Sequence, residues 1–272
     1  MPKSRLRQLA NFIRVFGRRD GIRLWSSLFF QYSILSRQLL RVRLPKSAAP
    51  MLLRSQDLPI FWQIMIMREY DLRSFAQMKR VMATYKEILS EGKKPIIVDC
   101  GGHVGLSAIW FATQFPEATV YVVEPDISNF RVSQCNIRLY ANIIPLHGGV
   151  WSHPCRLMIS NPKAGSASFR LQEAPDCSKL CEPDALCGYT IEKISEFGDA
   201  RRLFVVKIDI EGAEAELFEG PTQWLHFAAL VLIELHDWLL PWQGTSRNFF
   251  RKLAENDFDV VFRGENLFLF RP

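Results

Sequence analysis

The stretch Ile96-Ile97-Val98-Asp99-Cys100-Gly101-Gly102-His103-Val104-Gly105 decides how the rest of the chain is read. A short apolar run suited to a buried strand passes directly into three glycines, where the chain must turn sharply into a helix and let a ligand approach its backbone. That is the loop of a nucleotide-like cofactor, although a plain structural turn uses glycines in the same way. Asp99 narrows the choice. A fixed carboxylate two residues before Gly101 opposes the charges of a dinucleotide pyrophosphate and suits a ligand carrying an ammonium and a sulfonium.

Outward from this loop, helical spacing covers 104–115, a second strand covers 119–124, a second helix 128–140 and a third strand 143–147. Residues 150–190 break the rhythm and read as an insertion of irregular and short antiparallel structure over part of the site. Alternation returns with strands at 203–209 and 229–235, helices at 213–218 and 246–255, and two final strands at 258–263 and 267–271 around a tight turn. Strands alternating with helices predict an α/β, doubly wound, mostly parallel sheet over 95–272. Before it lie a connector with a helical pattern (51–94) and a basic, amphipathic helical arm (1–50).

Two sets of acids accompany the glycine loop. Glu124, followed by Pro125, closes the second strand 25 residues after Asp99, where a carboxylate can accept both ribose hydroxyls of a nucleoside. In Phe204-Val205-Val206-Lys207-Ile208-Asp209-Ile210-Glu211, alternation sets Lys207, Asp209 and Glu211 on one face of a strand that should be apolar on both. Charges placed there are costly unless paired or used, and a Lys207 ion pair that merely braces the strand end is the competing reading. At the switch point of a doubly wound sheet Asp209 falls beside the Asp99 loop, and Glu234 and His236 approach from the fifth strand. His236 is then the candidate general base, with Asp209, Glu234 and Lys207 as its catalytic company. Asp209, Glu211, Glu234 and His236 could alternatively hold a divalent cation.

Asp99-x-Gly101-x-x-x-Gly105, Val123-Glu124-Pro125-Asp126, Asn129-Phe130, Asn136, Lys207-Ile208-Asp209-Ile210-Glu211-Gly212-Ala213-Glu214 and Glu234-Leu235-His236 together resemble the FkbM-type methyltransferase family, in order and over about residues 60–240. The resemblance implies a class I, Rossmann-like methyltransferase fold with a C-terminal antiparallel hairpin. It further implies S-adenosylmethionine as methyl donor, held by Asp99, Gly101, Gly102, His103, Gly105, Glu124 and Pro125, and a hydroxyl acceptor on a sugar, glycolipid or secondary metabolite. Gly102-His103 stands where the family usually has Ala-Asn; an imidazole there can still bond the donor's carboxylate end and would add a pH dependence. An NAD-dependent oxidoreductase is the alternative enzyme, disfavoured by Asp99 and by an incomplete Gly-x-Gly-x-x-Gly. A non-catalytic cofactor-binding scaffold at a membrane is the non-enzymatic one.

Charge divides the chain of 272 residues unevenly. Residues 1–46 hold eleven Lys and Arg against Asp20, a net of +10, while the remainder holds 23 bases against 27 acids. Phe12, Phe16, Trp25, Leu28 and Phe29 punctuate the arm at helical spacing, so it either docks on the domain or meets an anionic lipid surface. An acidic main domain without a recognisable module speaks against nucleic acid. No apolar run is long enough to span a bilayer, which together with scattered cysteines leads to the expectation of a cytoplasmic protein, peripheral at the inner membrane surface if the arm binds lipid. Cys177-x-x-x-Cys181 with Cys187 lacks a clear fourth ligand for structural zinc.

Overall fold

The computed structural model describes residues 5–34, 39–45, 50–162, 169–174, 186–197 and 201–272. In chain order the elements are α1 (Arg5–Ile34), β1 (Leu40–Val42), β2 (Met51–Leu53), α2 (Leu58–Phe61), α3 (Met78–Ser90), β3 (Lys94–Cys100), α4 (Leu106–Gln114), β4 (Thr119–Glu124), α5 (Ile127–Ile137), β5 (Ile143–Val150), β6 (Cys155–Ile159), β7 (Leu171–Glu173), β8 (Leu186–Tyr189), α6 (Ile191–Ser195), β9 (Arg201–Ile208), α7 (Glu214–Leu217), β10 (Leu230–Glu234), α8 (Arg247–Ala254), β11 (Asp259–Arg263) and β12 (Asn266–Phe270). Among the described residues, ten strands form one sheet in the order β11-β12-β10-β9-β3-β4-β5-β8-β6-β7.

Its centre, β5-β4-β3-β9-β10, is parallel. The terminal hairpin returns so that β12 lies antiparallel against β10, with β11 outside it. This is the class I methyltransferase arrangement of a doubly wound sheet. β4 is buried along its whole length and β3 along all but Lys94, as befits strands covered on both faces. One core packs Ile97, Val120, Val122 and Leu232 against α3, α4 and the chain before β3. The opposite core packs Val98, Val123, Val206 and Ile233 against Phe218, Trp224 and Phe249.

Three regions differ from the sequence reading. Between β3 and β9 the register shifts at Ile96/Ile97, so Phe204 joins Val205 in the first core and does not share a face with Val206 and Ile208. Within 150–190 the described residues hold the short antiparallel strands expected, β6 with β7 and with β8, but β8 also pairs parallel to β5, so these strands extend the main sheet. Cys177 and Cys181 lie outside the described residues. The 51–94 connector opens with β2, which pairs with β1, and its only long helix is α3.

The arm is docked in this structure. Phe12 and Leu24 are buried, and Phe16, Trp25 and Leu28 pack on the first core. Gly17, at φ 80, breaks α1 so that both halves can reach it. Among the described residues, no helix is long and apolar enough to cross a membrane.

Candidate active site

The crevice opens at the carboxyl ends of β3, β4, β9 and β10, on either side of the point where the strand order reverses. Gly101 and Gly105 both adopt φ 83, a left-handed conformation that glycine takes without strain. A Cβ on Gly101 would stand 1.8 Å from the Asp209 carbonyl, and one on Gly102 would stand 1.9 Å from Val122 Cγ2. These glycines are therefore demanded by the close approach of β9 and β4, before any ligand is considered. Gly105 starts α4 and lies behind the crevice wall, against Ser133.

Asp99 was expected to face the crevice. Instead it is fully buried beneath the loop: Ser107 Oγ donates to its Oδ2 at 2.5 Å, and Lys207 Nζ stands 3.2 Å from its Oδ1. Lys207 is itself buried, donates to the Gly101 carbonyl at 2.7 Å, and lies 3.3 Å from Asp209 Oδ2. Burial opposes its charge, but the two carboxylates prevail and hold its pKa well above the usual lysine range. Lys207 is thus a brace that ties β3, the glycine loop and β9 together.

On the β4 side, Gly101, His103, Glu124, Pro125 and Asn129 line the crevice, faced by Gly148 and Gly149 of β5 and by Leu171 of the insertion. Glu124 accepts from the His103 amide at 2.8 Å, the Asp126 amide at 3.0 Å and Asn129 Nδ2 at 3.1 Å. Burial pushes its carboxyl up to about 8 against those bonds. One of its oxygens, Oε2, accepts only the His103 amide among the described residues. Arg54, ahead of α2, reaches over to the same corner. It pairs with buried Asp57 at 2.9 Å, donates to Asn129 Oδ1 at 2.6 Å, and lies 3.5 Å from His103 Nε2. Nε2 also lies 3.5 Å from Asp57 Oδ1, between a donor and an acceptor, and Nδ1 is buried without a hydrogen-bond partner among the described residues. Burial lowers the His103 pKa to about 4, so the pH dependence expected from this residue falls outside the neutral range.

On the β9–β10 side, a second recess is lined by Tyr70, Lys207, Asp209 and Glu234. Behind it His236 is 1% exposed. Its Nδ1 donates to Glu214 Oε1 at 2.8 Å, and its Nε2 stands 3.6 Å from Asp209, 3.7 Å from Glu211 and 3.8 Å from Glu234. Burial works against protonation, but the Glu214 bond and the surrounding carboxylates raise the imidazole to about 9. His236 therefore carries a proton at neutral pH, and it is the carboxylates that meet the recess. Burial pushes Glu211 up to about 7 and Glu234 up to about 8. Glu211 sits at φ 55, in a conformation rare for such a side chain, next to Gly212 at φ 101.

Arg54, Asp57, Ile60 and Tyr70 were not visible as site residues, because they come from a segment that only tertiary packing lays over the loop. Glu214 could have been found: it lies in the acidic block, and its pairing with His236 awaited only the geometry.

A family model for the methyltransferase FkbM domain matches residues 99–260. The chain belongs to that family. It is 27% identical over 176 residues to the hexuronic acid methyltransferase AglP of Haloferax volcanii, covering 63% of this chain and 66% of AglP. It is 24% identical over 148 residues to Methyltransferase 1 of Beauveria bassiana, covering 46% of this chain and 57% of that protein. The match thus spans less than two thirds of either relative. A solved methyltransferase from Geobacter sulfurreducens superposes with a TM-score of 0.36 at 14% identity, covering 84% of this chain and 93% of that one.

Proposed function

We propose that this FkbM-domain chain transfers a methyl group from S-adenosylmethionine to a hydroxyl of a sugar, a glycolipid headgroup or a related small metabolite. The observation that carries this reading is the pairing, across one crevice, of Glu124 at the end of β4 with Asp209 and Glu234 at the ends of β9 and β10. Glu124 has capacity left on Oε2 for a ribose hydroxyl, and His103, in the tautomer that carries its proton on Nδ1, can donate to the donor's carboxylate. When bound, the donor supplies a methyl group already activated by its sulfonium. Gly101, Gly102, His103 and Pro125 shape the adjoining wall, while Asp99 and Gly105 support the loop from behind.

The protein's remaining task is to orient an acceptor hydroxyl in line and receive its proton. Glu234, with a carboxyl pushed up to about 8, is matched to that step near neutral pH. Asp209 contacts the acceptor, Lys207 holds Asp209, and His236 positions the carboxylates from behind. The hexuronic acid named for AglP makes a sugar hydroxyl the first acceptor class to try.

Calorimetry with S-adenosylmethionine and with NAD on the same protein tests the donor. Tight NAD binding and no S-adenosylmethionine binding would move the chain to the oxidoreductases. Incubating cell-extract glycans and lipids with labelled methyl donor, read by mass spectrometry, tests the acceptor; donor binding without any transfer would leave a non-catalytic scaffold.

A further inference from the structure

We infer that Asp209, Glu211 and His236 form a binding site for a divalent cation of the Mn²⁺ type. One carboxylate oxygen from each acid and one ring nitrogen of the histidine lie within 4.8 Å of one another. Nε2 lies 3.6 and 3.7 Å from the two carboxylates, inside the roughly 4.2 Å that separates ligands on opposite sides of one ion at bonds of about 2.1 Å. Converging acids alone would not make a site; the imidazole is the second observation. His236 is 99% buried, and its Nε2 makes no hydrogen bond among the described residues while pointing at Asp209 and Glu211 from 3.6 and 3.7 Å. Its other nitrogen is fixed by Glu214, itself fully buried. A ring whose Nδ1–H is anchored on a carboxylate has the outer-shell support of a metal-binding histidine, and the ion would displace the proton that Nε2 carries in the metal-free chain.

Mixed oxygen and imidazole donors favour Mn²⁺ over Mg²⁺, which prefers oxygen alone. Glu234, which the sequence reading counted among the ligands, stands outside the tight trio at 3.8 Å from Nε2 and stays free to take a proton. What the cation does rests on the methyl-transfer reading: Asp209 and Glu211 line the cofactor crevice, so an ion between them can bind the acceptor oxygen and make its hydroxyl more acidic.

The test uses the full chain, freed of metal with chelator and titrated with Mn²⁺. Electron paramagnetic resonance of the free ion and calorimetry follow the binding. One Mn²⁺ should bind per chain, and Asp209→Asn and Glu211→Gln should each weaken it about 10-fold or more while the circular dichroism of the folded chain is unchanged. His153→Ala serves as the control, since His153, Cys155 and Glu173 form the other trio with ligand spacing among the described residues. Failure of the unaltered chain to bind Mn²⁺, or loss in His153→Ala with retention in the other two variants, overturns the proposal. S-adenosylmethionine titrations of the same chelated protein keep the two readings apart. Methyl transfer that proceeds undiminished in chelator removes the cation and leaves the proposed function, whereas Mn²⁺ binding without donor binding does the reverse.

Discussion

Where β3 meets β9, buried charge is closed upon itself: Lys207 answers Asp99, Asp209 and the Gly101 carbonyl, and Ser107 takes the remaining oxygen of Asp99. Where β9 meets β10, only a few ångströms of strand further on, Asp209, Glu211, Glu214 and Glu234 surround one imidazole. Both regions looked equally unusual as charges in a central strand. The first is completed by folding, because the buried charges of Asp99 and Lys207 meet opposite charge inside the protein. The second keeps an excess of acids over bases, a cost that folding alone does not repay and that a ligand can.

The largest effect should come from the open region. Glu234→Gln is expected to lower labelled methyl transfer by about 10²- to 10⁴-fold while S-adenosylmethionine affinity stays unchanged, because the loss falls on proton removal in the transition state. Undiminished transfer in that variant would assign the proton to another group. In the closed region the damage should be to stability. Lys207→Met strands Asp99 without a counter-charge and should cost about 3 to 5 kcal/mol in urea denaturation. A variant as stable as the parent would show that the brace is dispensable and that the contrast between the two regions is overdrawn.

Glu124→Ala sharpens the comparison at the cofactor corner. Donor binding, read by calorimetry above pH 8 where this carboxyl is ionised, should weaken by about 1.5 to 3 kcal/mol, the usual loss for hydrogen bonds to a charged group. The smallest expected effect is a slope. Glu124 and Glu234 at about 8, Glu211 at about 7 and His236 at about 9 all bind protons more tightly folded than their ordinary values of 4.5 and 6.5 allow. Groups raised in this way stabilise the fold below their unfolded pKa and lose that contribution as pH rises through the folded one. The ligand-free chain should therefore become less stable from about pH 5 to pH 9. Glu234→Gln should flatten the slope, and a stability that rises over that interval would contradict the open region's electrostatics.

Much of this was legible beforehand, and for identifiable reasons. Thr119–Glu124 reads as a strand because a β-branched run on both faces ends in a carboxylate and a proline, and β4 has those bounds. Other elements shifted by a few residues at their ends, as at β3, which begins at Lys94 where Ile96 was expected. The phase of β9 was less legible, since periodicity cannot reveal the register shift that moves Phe204 to the other core. Asp99 was read as facing a ligand because its spacing from the glycines is the same whether it lies above or beneath the loop.

Local chemistry in the sequence determined the glycine loop, the strand-helix alternation, the place of Glu124 at the end of the second strand and the family to which the chain belongs. Each of these depends on residues close together in the chain or on a periodicity that a short window contains. Only the tertiary structure decided which acids are braces and which are left over, how Arg54 and Asp57 come to His103, and that Glu214 rather than solvent holds His236. The reason is that a charge's meaning lies in what stands within about 4 Å of it, and in this fold those neighbours arrive from strands and loops far apart in sequence.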